Sequence, residues 1–152
     1  MGVSPQKRLH FKVIEDGLTA LDPSTIAFIQ IPNVTIETAE HTEGNFVVET
    51  PVRINCEEFE IGLYEDRETR NDWWLAKIPF DQETGAFKAH VDRVFNLTIQ
   101  QLKDDAETPV RQWVVKEILA KGSAYERSER TSTDNQIRTI TCKPKQVIET
   151  PI

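Results

Sequence analysis

The chain has 152 residues, 38% apolar and 28% charged, with a net charge of −7. That is the size of one domain, which buries about 68–70% of its unfolded surface. The negative charge argues against general binding to nucleic-acid phosphates. Two cysteines, Cys56 and Cys142, are too few for a disulfide framework, and neither belongs to a Cys-x-x-Cys pair that would support zinc or redox chemistry.

Charge is unevenly distributed. From Asn33 to Asp66 there are nine acids against one base, Arg53; from Val110 to Lys145 there are eight bases against four acids. Complementary fields of this kind steer association with a second copy or a polar partner. The N-terminal residues Met1 to Arg8 carry positive charge with no apolar run behind it, and no stretch approaches the ~18 apolar residues of a membrane span. The expectation is therefore a cytoplasmic protein, or one incorporated into a particle assembled there, with residues 1–8 as an N-terminal arm.

In chain order, Leu9, Phe11 and Val13 alternate with polar residues before the Asp16-Gly17 turn signal. Thr25 to Ile31 and Val34 to Ile36 are rich in β-formers, and His41 to Asn45 resembles a hairpin gap before Phe46. Pro51 lies inside Phe46–Ile54 and marks an edge strand or a bend. Phe59, Ile61 and Leu63 alternate with Glu58, Glu60 and Tyr64, which turns the acids away from the apolar face. Trp73 to Phe80 has strand character, and Asp81 to Gly85 reads as a hairpin turn.

Residues 87–102 fit both a two-residue and a helical period, and are assigned as a strand near Phe87–Val91 leading into a helix. A helix is expected over 109–121. Thr108 is placed to cap it, Pro109 suits its first position, Gly122 its end, and Val110, Trp113, Val114 and Ile118 follow helical spacing. Residues 123–136 then read as a long polar loop, and 142–152 as an extended C-terminal arm. The predicted architecture is a single α+β, β-rich domain: an antiparallel sandwich or curled sheet with one or two helices and an extended C-terminal segment.

No constellation of residues calls for catalysis, a metal or a cofactor. His10, His41 and His90 are scattered, and His90 with Asp92 is read as a polar surface pair. Trp73-Trp74 has the composition of a sugar platform, but in a strand the two rings face opposite ways. One tryptophan is thus assigned to the core and the other to a rim or interface. The residues expected at an interface are Tyr125, Arg127, Arg130, Trp74, Glu57, Glu58 and Glu60, with the polar loop favoured over the acidic face. The reading that fits best is a non-enzymatic structural subunit, of the virus-particle or phage-tail kind, joining identical copies or other subunits. Its rivals are an acidic inhibitor or immunity-type protein, and a carbohydrate-binding module or small hydrolase around Trp73 and Trp74.

Overall fold

A computed structural model describes residues 11–15, 19–20, 26–64, 73–103, 105, 107–125 and 136–152. The chain runs through strands β1 (Phe11–Glu15), β2 (Thr19–Ala20), β3 (Ile26–Ile29), β4 (Val34–Glu43), β5 (Phe46–Cys56) and β6 (Phe59–Tyr64). Two short helical segments follow, α1 (Trp73–Lys77) and α2 (His90–Arg93). Strands β7 (Val94–Leu102), β8 (Pro109–Tyr125), β9 (Ile137–Lys143) and β10 (Gln146–Pro151) complete it. Among the described residues no helix is long and apolar enough to cross a membrane.

The main sheet is antiparallel, in the order β2-β1-β7-β8-β9-β6-β3, with β10 also paired to β8. Strand β8 organises it. One edge of β8 pairs with β7; the other pairs with β10 along 111–116 and with β9 along 119–125. Alternate residues supply one core: Val13, Phe59, Ile61, Leu63, Leu97, Ile99, Val115, Ile118, Ile140 and Cys142 are all buried there. The alternation of Phe59, Ile61 and Leu63 is thus borne out, with Glu58 and Glu60 turned away. The second sheet, β4 with β5, is a two-stranded ribbon whose residues are almost all exposed, so it is not the second layer of a sandwich.

The expected helix over 109–121 is strand β8, and the reason is a bulge. Phe95 pairs with Ile118 and Leu97 with Val115, so a step of two on β7 meets a step of three on β8. The extra residue, Glu117, sits at φ 50°, and its N–H donates to Asn96 Oδ1 at 2.9 Å. The buried residues are therefore Trp113, Val115, Ile118 and Ala120. An alternation lengthened once by a single residue imitates a helical stripe. Gly122 lies beyond a second register shift, opposite β9, rather than at a helix end. Thr108 closes a turn instead of capping a helix. Asp105 Oδ1 accepts from the N–H groups of Glu107 and Thr108, both at 2.9 Å, and Oδ2 accepts from the Thr108 hydroxyl at 2.7 Å. These bonds hold the Asp105 carboxyl down at about 2.

Other expectations are also revised. Trp73 to Lys77 is helical rather than extended, which lets both indoles turn inward. Residues 87–102 reverse the expected order: the helical turn α2 comes first and the strand β7 second. Three of the residues assigned to the polar loop, Ser123 to Tyr125, continue β8. The segment 142–152 is extended as expected but is no free arm, because Cys142 and Lys143 belong to β9 and residues 146–151 pair with β8. The Asp81–Gly85 turn is as read: Asp81 Oδ1 accepts from Glu83 and Thr84 N–H, Gly85 takes φ 75°, and Phe80 bridges Phe87. Residues 1–8 and the Asp16-Gly17 turn signal lie outside the described residues.

Both thiols are buried and unbridged. Burial pushes the Cys142 thiol from 9.0 up to about 12. A thiol whose folded value exceeds its unfolded value stabilises the fold below the unfolded value, and that contribution disappears as pH rises through the folded one. We expect native protein at pH 8 to leave Cys142 unmodified by a thiol reagent, with reaction appearing only on denaturation. Between pH 9 and 12 the melting temperature of the wild type should fall more steeply than that of Cys142→Ala. Rapid native-state labelling of Cys142 would contradict this assignment.

Candidate functional site

The ribbon is the least expected feature of the chain. Its ten β4 residues span about 33 Å at the usual rise of a strand. The tip is the pair Gly44-Asn45, with Gly44 at φ 62°, a left-handed value that glycine adopts without steric cost. The base is tied to the body. Glu57 N–H donates to Asn33 O at 2.9 Å, and the Lys143 ammonium donates to Asn55 Oδ1 at 3.2 Å and to the Cys56 carbonyl. Pro51, opposite Thr38, sits beside a register shift, which accommodates a residue that cannot donate to the ladder.

Because paired residues share a face, the register sorts the ribbon's side chains. One face carries the pairs Val34–Cys56, Ile36–Ile54, Thr38–Pro51, Glu40–Glu49 and Thr42–Val47. Its stem is aliphatic and lies in water: Ile36 is 62% and Ile54 73% exposed, and Val34 is also exposed, as is Val52, which the register shift leaves without a ladder partner. The other face is polar, with Arg53 on Glu37 at 2.9 Å, His41 on Glu43 at 3.4 Å, and Thr50 bonded to His41 at 3.3 Å. Near the tip Phe46 is 76% exposed. Single exposed aliphatics are ordinary; here Val34, Ile36 and Ile54 stand together on one face of the ribbon.

A second feature lies where α2 meets the β8 bulge. A groove of about 400 Å³ is lined by His90, Arg93, Val94, Glu117, Leu119 and Lys145. Glu117 bridges it, with Oε1 3.2 Å from His90 Nε2 and Oε2 2.9 Å from Lys145 Nζ. Those hydrogen bonds, Lys145 first and His90 second, hold its carboxyl below the usual range.

The structure separates the residues expected at an interface. Trp74, at 9% exposure, belongs to the core and leaves little surface for a neighbour. Trp73 is half-buried beside it, with its indole N–H donating to Glu15 Oε2 at 3.0 Å and its ring edge-on to Phe95 at 5.3 Å. No shared stacking platform results. The Lys77 ammonium also pairs with Glu15, and burial lowers its pKa. Tyr125 is exposed at the end of β8 with the Arg138 guanidinium 4.3 Å from its ring centre. Arg127 and Arg130 lie outside the described residues.

Glu57, Glu58 and Glu60 cluster where the ribbon joins the body. Glu58 pairs with Lys121, whose hydrogen bond and charge hold its carboxyl below the usual range. Glu60 is bound through its backbone to Gln30. The charge split is thus partly closed within one chain, where Lys121 meets Glu58; Arg111 instead meets Glu149, an acid outside both segments, at 2.6 Å. Among the described residues no group of three His, Cys, Asp or Glu side chains is placed to hold a metal. His90 pairs with Glu117 instead of Asp92.

Sequence reasoning saw the ribbon's acids but missed its exposed aliphatic face. The signal was present: Val34 and Ile36, then Val52 and Ile54, alternate around a two-residue turn.

No family model matches the sequence, and no curated protein matches it. In fold the chain is similar to one from the sheath/tube terminator, in its extended state, of the extracellular contractile injection system PVC. The TM-score is 0.74 at 16% identity, over 97% of this chain and 98% of that one. It is similar also to a chain of the anti-feeding prophage cap, described as the tube-terminating cap, with TM-score 0.76 at 12% identity, over 100% and 95%. A chain of the PVC sheath–tube complex gives TM-score 0.70 at 16% identity, over 97% and 93%. At these identities the shared property is the fold.

Proposed function

We propose that this chain is a non-enzymatic structural subunit of a tube- or cap-like protein particle, assembled in the cytoplasm from copies of itself and companion subunits. The observation that carries the reading is the ribbon, which presents an aliphatic face to water and pairs with no other strand among the described residues. An isolated two-stranded ribbon is marginal by itself in water. A neighbour that covers Ile36 and Ile54 would supply the burial that this one lacks. The fold shared with chains of contractile-injection particles supports the same reading. So does β10, a short strand paired along one edge only among the described residues, a place where another chain can add. Tyr125 and the Glu57–Glu60 cluster are the further positions assigned to contacts.

Sedimentation across protein and salt concentrations tests this directly. The mass should rise with concentration and fall in high salt, because polar contacts accompany the apolar one. A chain that remains monomeric at high concentration and low salt would overturn self-assembly and favour a monomeric binder that uses its acids against a basic target.

A further inference from the structure

We propose that the groove beside the β8 bulge receives the Glu40–Glu49 pair of a neighbouring copy's ribbon. The inference rests on the self-assembly reading and names the contact that would make it.

Charges on the groove and on the ribbon lack compensation among the described residues. Arg93 is half-buried in the groove, yet no carboxylate of a described residue pairs with it. Glu117, the acid of the groove, is already engaged by His90 and Lys145. The groove therefore holds two fixed cations, Arg93 and Lys145, against one carboxylate, with Val94 and Leu119 as apolar wall. A guanidinium in such a place is suited to a carboxylate delivered from outside, because its planar fork binds two oxygens at once.

The ribbon holds the counterpart. Glu40 and Glu49 lie directly opposite one another in the ladder, both exposed. Like charges in that position repel. The other ribbon acids of β4 have local partners, Glu37 in Arg53 and Glu43 in His41, but neither Glu40 nor Glu49 has a cation among the described residues. The next pair on the same face, Thr42–Val47, sets an aliphatic side chain beside the two carboxylates. Two acids next to a valine complement an arginine next to a leucine and a valine. The acids are carried some way out from the ribbon's base, roughly 20 Å at the usual strand rise from Val34 to Glu40, within reach of another copy.

Each copy offers one ribbon and one groove, so the contact is heterologous and repeats from copy to copy, closing a ring or extending a filament. That asymmetry allows a stringent experiment. Two variants are prepared, Arg93→Glu and the double change Glu40→Lys/Glu49→Lys, with circular dichroism to verify folding. In sedimentation at moderate salt, each alone should associate at least about tenfold more weakly than wild type. Mixed in equal amounts they should recover, because each combination of ribbon and groove between unlike copies is again opposite in charge. Arg93→Gln, which removes the charge without reversing it, should fall between wild type and Arg93→Glu. A wild type that assembles while Arg93→Glu and Arg93→Gln assemble equally well overturns this contact and leaves self-assembly standing. A mixture that stays dispersed also overturns it. A wild type that never assembles removes both readings.

Discussion

Replacing Ile36 and Ile54 together by Asp is expected to yield a folded monomer under conditions where the unaltered chain assembles. The two residues face each other in the ribbon ladder, at 62% and 73% exposure. In the isolated subunit they already lie in water, and surface substitutions usually change stability by less than about 0.5 kcal/mol. Repulsion between the paired carboxylates adds up to roughly 1 kcal/mol. The melting temperature should therefore move by only a few degrees. In an assembly that covers this face the effect is different in kind. Burying each isoleucine contributes about 1.5–3 kcal/mol, and a carboxylate in its place must be stripped of water without a partner. Losing only the apolar part, about 3–6 kcal/mol in all, weakens association by roughly 10²- to 10⁴-fold. Ile36→Thr/Ile54→Thr, which keeps β-branched side chains and so the ribbon itself, should give an intermediate loss. Sedimentation velocity beside a thermal melt measures both quantities. Undiminished assembly of the Asp pair would mean that the aliphatic stem is not covered between copies, and the proposed role of the ribbon would fall.

Two single-residue deletions in β8, three positions apart, should have opposite outcomes. Removing Glu117 takes out the extra residue of the bulge. Trp113, Val115, Ile118 and Ala120 then fall into a regular alternation, all still facing the core. What is lost is the bond to Asn96, the surface pairs with His90 and Lys145, and a non-glycine residue held at φ 50°. Exposed pairs of this kind are worth about 0–1 kcal/mol each, so the protein should fold with a modestly lowered melting temperature. Removing Val114 instead leaves the strand one residue short between Trp113 and Ile118. If a regular strand keeps both of those residues inside, Val115 turns outward and Lys116 inward. Exposing Val115 costs about 1.5–3 kcal/mol. Placing an ammonium group in the core costs several more, against a total stability of about 5–15 kcal/mol for a domain. Soluble, cooperatively melting protein is expected from the first deletion and not from the second. Equal tolerance of both would show that β8 does not set the phase of the core.

The same bulge gives the β8 sequence the spacing of a helix. Apolar steps of two, three and two residues are an alternation lengthened once, and over a dozen positions they cannot be told from a helical stripe by spacing alone. Thr108-Pro109 and Gly122 then supplied boundaries that suit a helix. The β-branched content of Val110, Val114, Val115 and Ile118 pointed the other way, and the tertiary ladder decided for it. At α1 the reverse holds: five helical residues are too few to display a period, so Trp73-Trp74 looks like a strand pair.

What the sequence determined by itself was local. The alternation of Phe59, Ile61 and Leu63, the turns at Gly44 and Asp81–Gly85, and the predominance of strand could all be read from neighbouring residues. What lies across from a strand could not. Val34, Ile36, Val52 and Ile54 alternate much as Phe59, Ile61 and Leu63 do, yet the first set stands in water and the second is buried. A strand's own residues specify which of its faces is apolar. Whether that face meets a core or awaits a neighbour depends on chain segments remote in sequence, and only the tertiary structure brings those into place.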